Sequence, residues 1–198
     1  MTPGEQQIPA ARVLLVCTAN QCRSPLAGAI LSAVAKARGI DLEIGTAGLG
    51  GDGAPATDVT VAVAEGRGLD LGEHRSRTLT PDVLEDADLI LGMERVHARE
   101  AVVLRPSVWP RSFTLKEFVR RAERIGARPP DEDLSVWIAR IHAGRERVDL
   151  LGASPLDDVS DPTGGTLVEH EDTADVLDDL VERLVRLAWP RSSVTPFG

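Results

Sequence analysis

The segment VLLVCTANQCRSP, residues 13–25, decides how this chain begins to fold and where its chemistry lies. Its first four residues are apolar, which predicts a buried strand over residues 12–16. Pro25 fits the first turn of a helix, where its missing N–H costs nothing. The segment therefore predicts a strand, a tight loop from Cys17 to Ser24, and a helix that follows directly.

The loop lies at the N-terminus of that helix, whose apolar spacing continues over residues 26–38 and ends at Gly39. Backbone N–H groups are unpaired at a helix N-terminus and the helix dipole is positive there, so the loop suits an anion. The same potential favours a thiolate at Cys17. Arg23 adds a guanidinium that can hold two phosphoryl oxygens at once.

These groups suit a cysteine that attacks phosphorus at the base of a backbone anion cradle. Ser24 can donate a hydrogen bond to the sulfur of Cys17. A cysteine at a strand end is, taken alone, more often a buried core residue. Together with Arg23, Ser24 and the strand–loop–helix context, Cys17 indicates a phosphatase with a cysteine nucleophile.

The composition limits the classes of protein to consider. A chain of 198 residues can bury a full core, so we expect one domain over residues 1–198. No apolar run approaches the ~20 residues of a membrane span, and residues 1–11 lack the apolar core of a signal peptide. We therefore expect a cytoplasmic protein. The net charge of −9 argues against general nucleic-acid binding, although one basic pocket can still bind phosphate.

The cysteine content excludes a protein stabilised by a framework of disulfides. The two cysteines of the chain, Cys17 and Cys22, both fall inside the loop, so no disulfide framework is expected. No pattern of metal ligands is visible in the sequence. We expect neither a metal nor a cofactor, because Arg23 and the backbone can supply the stabilising charge.

Apolar strands alternate with helical segments along the chain. Further strands are predicted over residues 42–47, 88–93 and 112–115, and further helices over residues 57–65, 81–86, 94–104 and 173–188. Such alternation predicts an α/β fold: a four-stranded parallel sheet with helices on both faces. Ligands bind such sheets at the carboxyl ends of strands, where Cys17 stands.

Two connections stay open on the sequence alone. The glycine-rich stretch over residues 48–53 is either a mobile surface turn or a rim of the site. Residues 116–154 are less regular, with helices predicted over 117–125 and 134–143. This segment is either a helical elaboration that covers a sheet edge, the commoner case, or an insertion that binds a partner.

Cleavage of an aryl phosphate needs a proton donor for the leaving oxygen and later a base for water. Asp161 is the candidate for both roles, because Pro162 restricts it to extended or turn geometry. Asp157 and Asp158 are alternatives close by. An Asp-Pro pair is also a common turn starter without chemistry.

These motifs, in their order along the chain, resemble the low-molecular-weight protein tyrosine phosphatases, particularly their bacterial members. The family's motifs are Cys-x5-Arg-Ser at residues 17–24, His-x-Ser-Arg at 74–77, Asp-Leu-Ile-Leu-x-Met at 88–93 and Asp-Pro at 161–162. The resemblance covers roughly residues 13–115 and 157–187. It implies a flavodoxin-like fold of the phosphatase I type. Residues 116–154 are longer than the family's usual connection, and we expect them to form a helical insertion.

The resemblance also implies roles. Cys17 is expected to be the nucleophile, Arg23 the phosphate clamp and Asp161 the acid and then the base. The phosphate is expected to lie on the loop residues Thr18, Ala19, Asn20, Gln21, Cys22, Arg23 and Ser24. A polar network is expected to hold the loop in shape through Asn20, Ser24, Thr46 and His74.

Separate expectations apply to Asn20, Cys22 and His74. Asparagine tolerates a positive φ better than most residues, a physical reason for Asn20 in a tight cradle. Cys22 is expected to form a disulfide with Cys17 under oxidation. His74, taken alone, would be a surface histidine in an arginine-rich turn.

The implied function is hydrolysis of phosphomonoesters, with protein phosphotyrosine as the expected substrate, through a phosphocysteine intermediate. A small phosphomonoester is the other substrate class considered. The family usually places an aromatic residue after Asp-Pro, whereas this chain has Thr163 and Gly164 there and no tyrosine at all. The alternatives are a non-catalytic phosphate-binding or redox-sensing module, and an arsenate reductase, which needs further cysteines that this chain lacks.

Overall fold

The computed structural model describes residues 10–190. One sheet of four parallel strands has the order β2-β1-β3-β4, which confirms the predicted α/β fold. The strands are β1 (Ala11–Cys17), β2 (Leu42–Gly48), β3 (Leu89–Gly92) and β4 (Ser112–Thr114). β1 therefore lies inside the sheet, where both of its faces are covered and its residues 13–17 are buried.

Helices cover both faces of the sheet. Those of the described chain are α1 (Arg23–Arg38), α2 (Asp58–Gly66), α3 (Pro81–Glu85), α4 (Arg95–Leu104), α5 (Leu115–Ile125), α6 (Leu134–His142) and α7 (Leu167–Ala188). Val13 and Leu15 of β1 face the larger apolar cluster, with α1, α2, α5, α6 and α7. Leu14 and Val16 face the opposite side, with α3 and α4, because successive side chains of a strand alternate.

The last helix begins earlier than the sequence predicts, at Leu167 rather than residue 173. Thr166 and Glu169 form a capping box there: the Thr166 hydroxyl accepts from the Glu169 N–H at 3.3 Å, and the Glu169 carboxylate accepts from the Thr166 N–H at 2.6 Å. Leu167 and Val168 point to solvent. The apolar spacing of the buried face therefore starts only after these two residues. For this reason the spacing did not predict the first turns of the helix.

The segment over residues 116–154 packs into the main core. Phe118 of α5 and Trp137 of α6 are fully buried in the larger apolar cluster. Arg145, which follows α6, is tied to α5, because its buried guanidinium binds the carboxylate of Glu117 at 2.7 and 2.9 Å. The same guanidinium lies 3.9 Å from the ring centroid of Phe113. This packing is that of a helical elaboration on the sheet.

Several statements from the sequence fall partly outside the structure. The predicted single domain includes residues 1–9 and 191–198, which lie outside the described part of the chain. Most of the polar N-terminal segment, residues 1–9, lies outside it as well. Among residues 10–190, no helix combines the length and apolarity that crossing a membrane requires. The same residues bring together no group of three or more His, Cys, Asp or Glu side chains suited to a metal ion.

Candidate active site

The loop between β1 and α1 opens at the carboxyl edge of the sheet. Helix α1 begins at Arg23, and Cys22 at its N-cap position provides no side-chain cap. The first N–H groups of α1 are thus left to other acceptors, at the positive end of the helix dipole. Cys17 is the last residue of β1 and lies in register with Gly48, the last residue of β2. The loop therefore forms an anion cradle with a cysteine at its base.

The thiol of Cys17 lies under this cradle, with only 3% of the residue exposed. The hydroxyl of Ser24 lies 3.0 Å from its sulfur. Because Asn20 Nδ2 donates to that hydroxyl at 2.9 Å, the proton of Ser24 is free to point at the sulfur. Such a hydrogen bond stabilises a thiolate.

Asn20 fixes the shape of the loop from inside the protein. It is the one non-glycine residue of the described chain with a positive φ, 55°. Its side-chain oxygen accepts from the Arg77 N–H at 2.9 Å, and its carbonyl accepts from His74 Nε2 at 2.7 Å. Asn20, Ser24 and His74 thus come together as the resemblance implies.

Thr46 does not join this network in the described structure. It lies in β2 opposite Leu15, and its methyl group faces Gly28 of α1. The carbonyl of Ala47, the next residue, lies 3.5 Å from the Ser24 hydroxyl.

The glycine-rich stretch is a rim of the cradle rather than a separate turn. The N–H groups of Leu49 and Gly50 donate to the Thr18 carbonyl at 2.7 and 3.2 Å. Gly48 approaches the loop most closely: a Cβ there would lie 2.8 Å from the Asn20 nitrogen and 2.9 Å from the Thr18 oxygen. The close approach of two backbones requires glycine at this position.

Arg23 reaches from the first turn of α1 to two carboxylates. Its side chain is only 2% exposed. Nη1 binds the carboxylate of Glu94 and donates to the Val159 carbonyl at 3.0 Å, while Nη2 lies 2.6 Å from Asp161 Oδ2. The structure therefore brings the predicted clamp and the predicted acid together, although they are 138 positions apart in sequence.

Glu94 lies in none of the motifs that the sequence predicts for the site. This residue follows β3 and caps α4, so it stands at the carboxyl end of a strand beside β1. Ligand-binding side chains gather at this edge of a parallel sheet, and that position is the signal that could have identified it.

His97 is a second residue that the sequence analysis missed. Its Nδ1 accepts from the Glu94 N–H at 2.9 Å, so its proton lies on Nε2, which is 3.0 Å from the Thr18 hydroxyl. Burial and the charge of Arg23 lower the pKa of His97 to about 4. A neutral, oriented imidazole therefore supports the cradle at physiological pH.

Asp161 keeps both of its carboxylate oxygens engaged. Oδ2 binds Arg23, and Oδ1 accepts from the Thr163 N–H at 3.1 Å and the Thr163 hydroxyl at 2.7 Å. Partial burial raises the pKa of Asp161, but the hydrogen bonds from Thr163 and the charge of Arg23 outweigh it and hold the pKa below its ordinary value. The group is therefore a carboxylate when the cradle is empty.

The two alternative acids are engaged elsewhere. The carboxylate of Asp157 binds Arg95 and Arg120. Asp158 accepts from the Arg95 N–H at 2.8 Å and from the Ser154 N–H at 2.6 Å. Both residues hold the loop over residues 157–165, called the acid loop below, whereas Asp161 is the carboxylate that meets Arg23.

Cys22 is buried behind the cradle. Its sulfur lies 3.6 Å from Nδ1 of His170 in α7. Burial raises the pKa of the Cys22 thiol. Its disulfide with Cys17 stays a prediction.

Residues 12–132 match the family described as low molecular weight phosphotyrosine protein phosphatase. The protein-arginine-phosphatase of Bacillus subtilis (strain 168) is 26% identical over 175 residues, 88% of this chain and 94% of that relative. The crystal structure of a low molecular weight protein tyrosine phosphatase from T. tengcongensis is similar, with a TM-score of 0.69 and 34% identity, over 89% of this chain and 99% of that one. A YwlE arginine phosphatase, a cysteine-to-serine variant with a phosphorylated active-site serine, has a TM-score of 0.67 and 27% identity, over 88% and 93% of the two chains.

The close approach at Gly48 yields a test of the cradle. The Gly48→Ala methyl group would push the loop backbone aside, at a cost of about 1–3 kcal/mol. We therefore expect Gly48→Ala to weaken the binding of inorganic phosphate roughly tenfold or more by isothermal titration calorimetry. Gly51→Ala is the matched control, because a Cβ at Gly51 meets no atom within 4 Å. Equal affinity in the two variants would contradict the assigned cradle.

Proposed function

The chain belongs to the low molecular weight phosphotyrosine protein phosphatase family, and on that premise we propose that it dephosphorylates proteins through a phosphocysteine on Cys17. One observation carries the proposal: a single buried guanidinium, Arg23, joins the anion cradle to the carboxylate of Asp161. This contact supports the proposed roles of Cys17 as nucleophile, Arg23 as clamp and Asp161 as proton donor. The phosphorylated active-site serine of the similar YwlE variant supports the position of the nucleophile.

The first chemical step is in-line attack of the Cys17 thiolate on phosphorus. The S–P bond forms, the bond from phosphorus to the leaving oxygen breaks, and Asp161 gives its proton to that oxygen. Arg23 and the loop N–H groups hold the equatorial oxygens where charge develops.

The second step returns the enzyme to its starting state. Water attacks the phosphocysteine while Asp161 accepts a proton from it. The S–P bond then breaks, which releases inorganic phosphate and the thiolate.

Substrate binding has to displace Asp161 from Arg23. In the described structure Nη2 of Arg23 is occupied by the Asp161 carboxylate, and Nη1 by Glu94 and the Val159 carbonyl. A phosphoryl group in the cradle would take the place of Asp161 at Nη2. Its negative charge would also raise the pKa of Asp161 from the depressed value, which is the direction that a proton donor needs.

Phosphotyrosine is the first candidate substrate, because the family and the T. tengcongensis relative are named for it. Phosphoarginine is the second, for a specific reason. The Bacillus subtilis relative that spans 88% of this chain is a protein-arginine-phosphatase, and Thr163 stands here in place of an aromatic residue. A cytoplasmic location and a partner at residues 116–154 stay predictions.

The chemistry is tested with para-nitrophenyl phosphate in metal-free buffer under reducing conditions. We expect Cys17→Ser to abolish turnover because it removes the nucleophile. Asp161→Asn should lower kcat about 100-fold or more, the usual contribution of a general acid. Asp41→Asn, an exposed acid before β2, is the control. A parent that binds phosphate without turnover, or an unaltered rate in Asp161→Asn, would refute the assignment.

The pH dependence follows from the lowered pKa of Asp161. Because the free enzyme holds this group ionised at neutral pH, the proton for the leaving oxygen enters with the substrate monoanion. The second pKa of a phosphotyrosine phosphate is about 6. We therefore expect kcat/KM for phosphotyrosine to fall about tenfold per pH unit above that value. A flat or rising kcat/KM between pH 6 and 8 would count against this role for Asp161.

Substrate choice is tested with peptides that differ only in the phosphorylated residue. Only 3% of Cys17 is exposed, so we expect a long side chain to reach its sulfur and phosphoserine to fall short. We expect measurable release of phosphate from phosphotyrosine peptides and none from the phosphoserine peptide. Faster release from phosphoarginine would assign the second candidate substrate, and equal release from phosphoserine would contradict the depth argument.

A further inference from the structure

Asp157 is a buried carboxylate that the proposed reaction does not use. Its side chain is 6% exposed and binds arginines from two different helices. Arg95, the first residue of α4, reaches Asp157 Oδ2 through Nε at 3.0 Å and Nη2 at 2.6 Å. Arg120 of α5 reaches Oδ1 through Nη2 at 2.7 Å. We call these three side chains the acid-loop latch.

The residues next to Asp157 are held to the same helices. The carboxylate of Asp158 accepts from the Arg95 N–H at 2.8 Å. Lys116 of α5 donates to the carbonyl of Asp158 at 2.6 Å. The N–H of Val159 donates to the Met93 carbonyl, at the end of β3, at 2.7 Å. The start of the acid loop is therefore fixed to α4, α5 and the sheet.

Asp161 itself has much weaker ties to the scaffold. Its side chain is 40% exposed. Its hydrogen bonds go to Thr163, two residues further along the same loop, and to Arg23, which a substrate phosphate would occupy. Once the phosphate has displaced it, the position of Asp161 depends on the part of the loop that the latch holds.

Burial raises the pKa of Asp157, but the hydrogen bonds from Arg120 and Arg95 outweigh it and keep the pKa below its ordinary value. The carboxylate therefore stays charged, facing two guanidinium groups. A buried charge with oriented partners holds its neighbours to one geometry, because any other arrangement leaves a charge uncompensated.

We propose that Asp157, Arg95 and Arg120 are positioning residues that set where Asp161 meets the leaving oxygen. The proposal rests on the proposed role of Asp161 as the acid. A misplacement of about 1 Å can cost on the order of 100-fold in rate, so a latch outside the cradle can still control the proton transfer. Helix α5 thereby contributes to catalysis through Arg120, in addition to covering the sheet.

The test compares a good and a poor leaving group. Release of phenol from phenyl phosphate depends on proton donation far more than release of para-nitrophenol. We expect Arg120→Met to lower kcat/KM for phenyl phosphate about tenfold more than for para-nitrophenyl phosphate. A purely structural role would lower both equally, so an unchanged ratio of the two kcat/KM values would overturn the proposal.

Two further variants sharpen this comparison. Nε of Arg120 is buried without a hydrogen-bond partner among the described residues, so Nη2 alone contacts Asp157. Arg120→Lys keeps a cation for that single contact and should restore most of the leaving-group ratio. Arg140 of α6, which is 46% exposed, pairs with Glu132 outside the latch, so Arg140→Met should leave the ratio at the parent's value. A ratio shift as large in Arg140→Met as in Arg120→Met would overturn the assignment to the latch.

Asp157→Asn removes the central charge, and its thermal unfolding is measured alongside. Arg120→Met leaves the Asp157 carboxylate paired with Arg95, so it keeps the test decisive if Asp157→Asn fails to fold. The failures of the two proposals are distinct. If Asp161→Asn kept the parent's leaving-group dependence, the result would overturn both the acid role of Asp161 and the positioning role of the latch. A normal Asp161→Asn effect with an unchanged Arg120→Met ratio would overturn the latch alone.

Discussion

The buried charge of Arg23 is the constraint on which the rest of this site depends. A guanidinium withdrawn from water is costly unless carboxylates pair with it. Here they come from the end of β3, as Glu94, and from the acid loop, as Asp161. The first turn of α1, the N-terminus of α4 and the acid loop therefore converge on one point. The cradle, the proposed clamp and the proposed proton donor lie together because they share this charge.

The sequence could predict the parts of the site that are local. Cys17, the loop and the start of α1 follow from one strand–loop–helix segment, and the positive φ of Asn20 suits an asparagine. Glu94 and His97 were missed because their roles come from contacts with Arg23 and Thr18, which only the packed sheet creates. The start of α7 was also missed, because its first apolar residues face solvent and do not belong to the apolar spacing of its buried face.

Choosing among nearby carboxylates was also beyond the sequence. Asp157, Asp158 and Asp161 lie within five positions, and each is an acid in a turn-rich stretch. Their chemistry differs only because their partners differ. Arg95 and Arg120 enclose the first, backbone N–H groups hold the second, and Arg23 meets the third. Thr46 was assigned to the network, but its methyl group faces Gly28, away from that network. Here the strand was predicted correctly, whereas the contacts of the side chain were not.

The ion pair between Arg23 and Asp161 has a consequence for turnover. The enzyme carries its own competitor for Arg23, a carboxylate tethered within hydrogen-bond distance and therefore at high effective concentration. Inorganic phosphate, the product, has to hold its place against this internal anion, and its apparent affinity falls by the fraction of time in which the anion is bound. Weak product inhibition is built into such an arrangement. The carboxylate that we propose as the acid would thus also help to release the product.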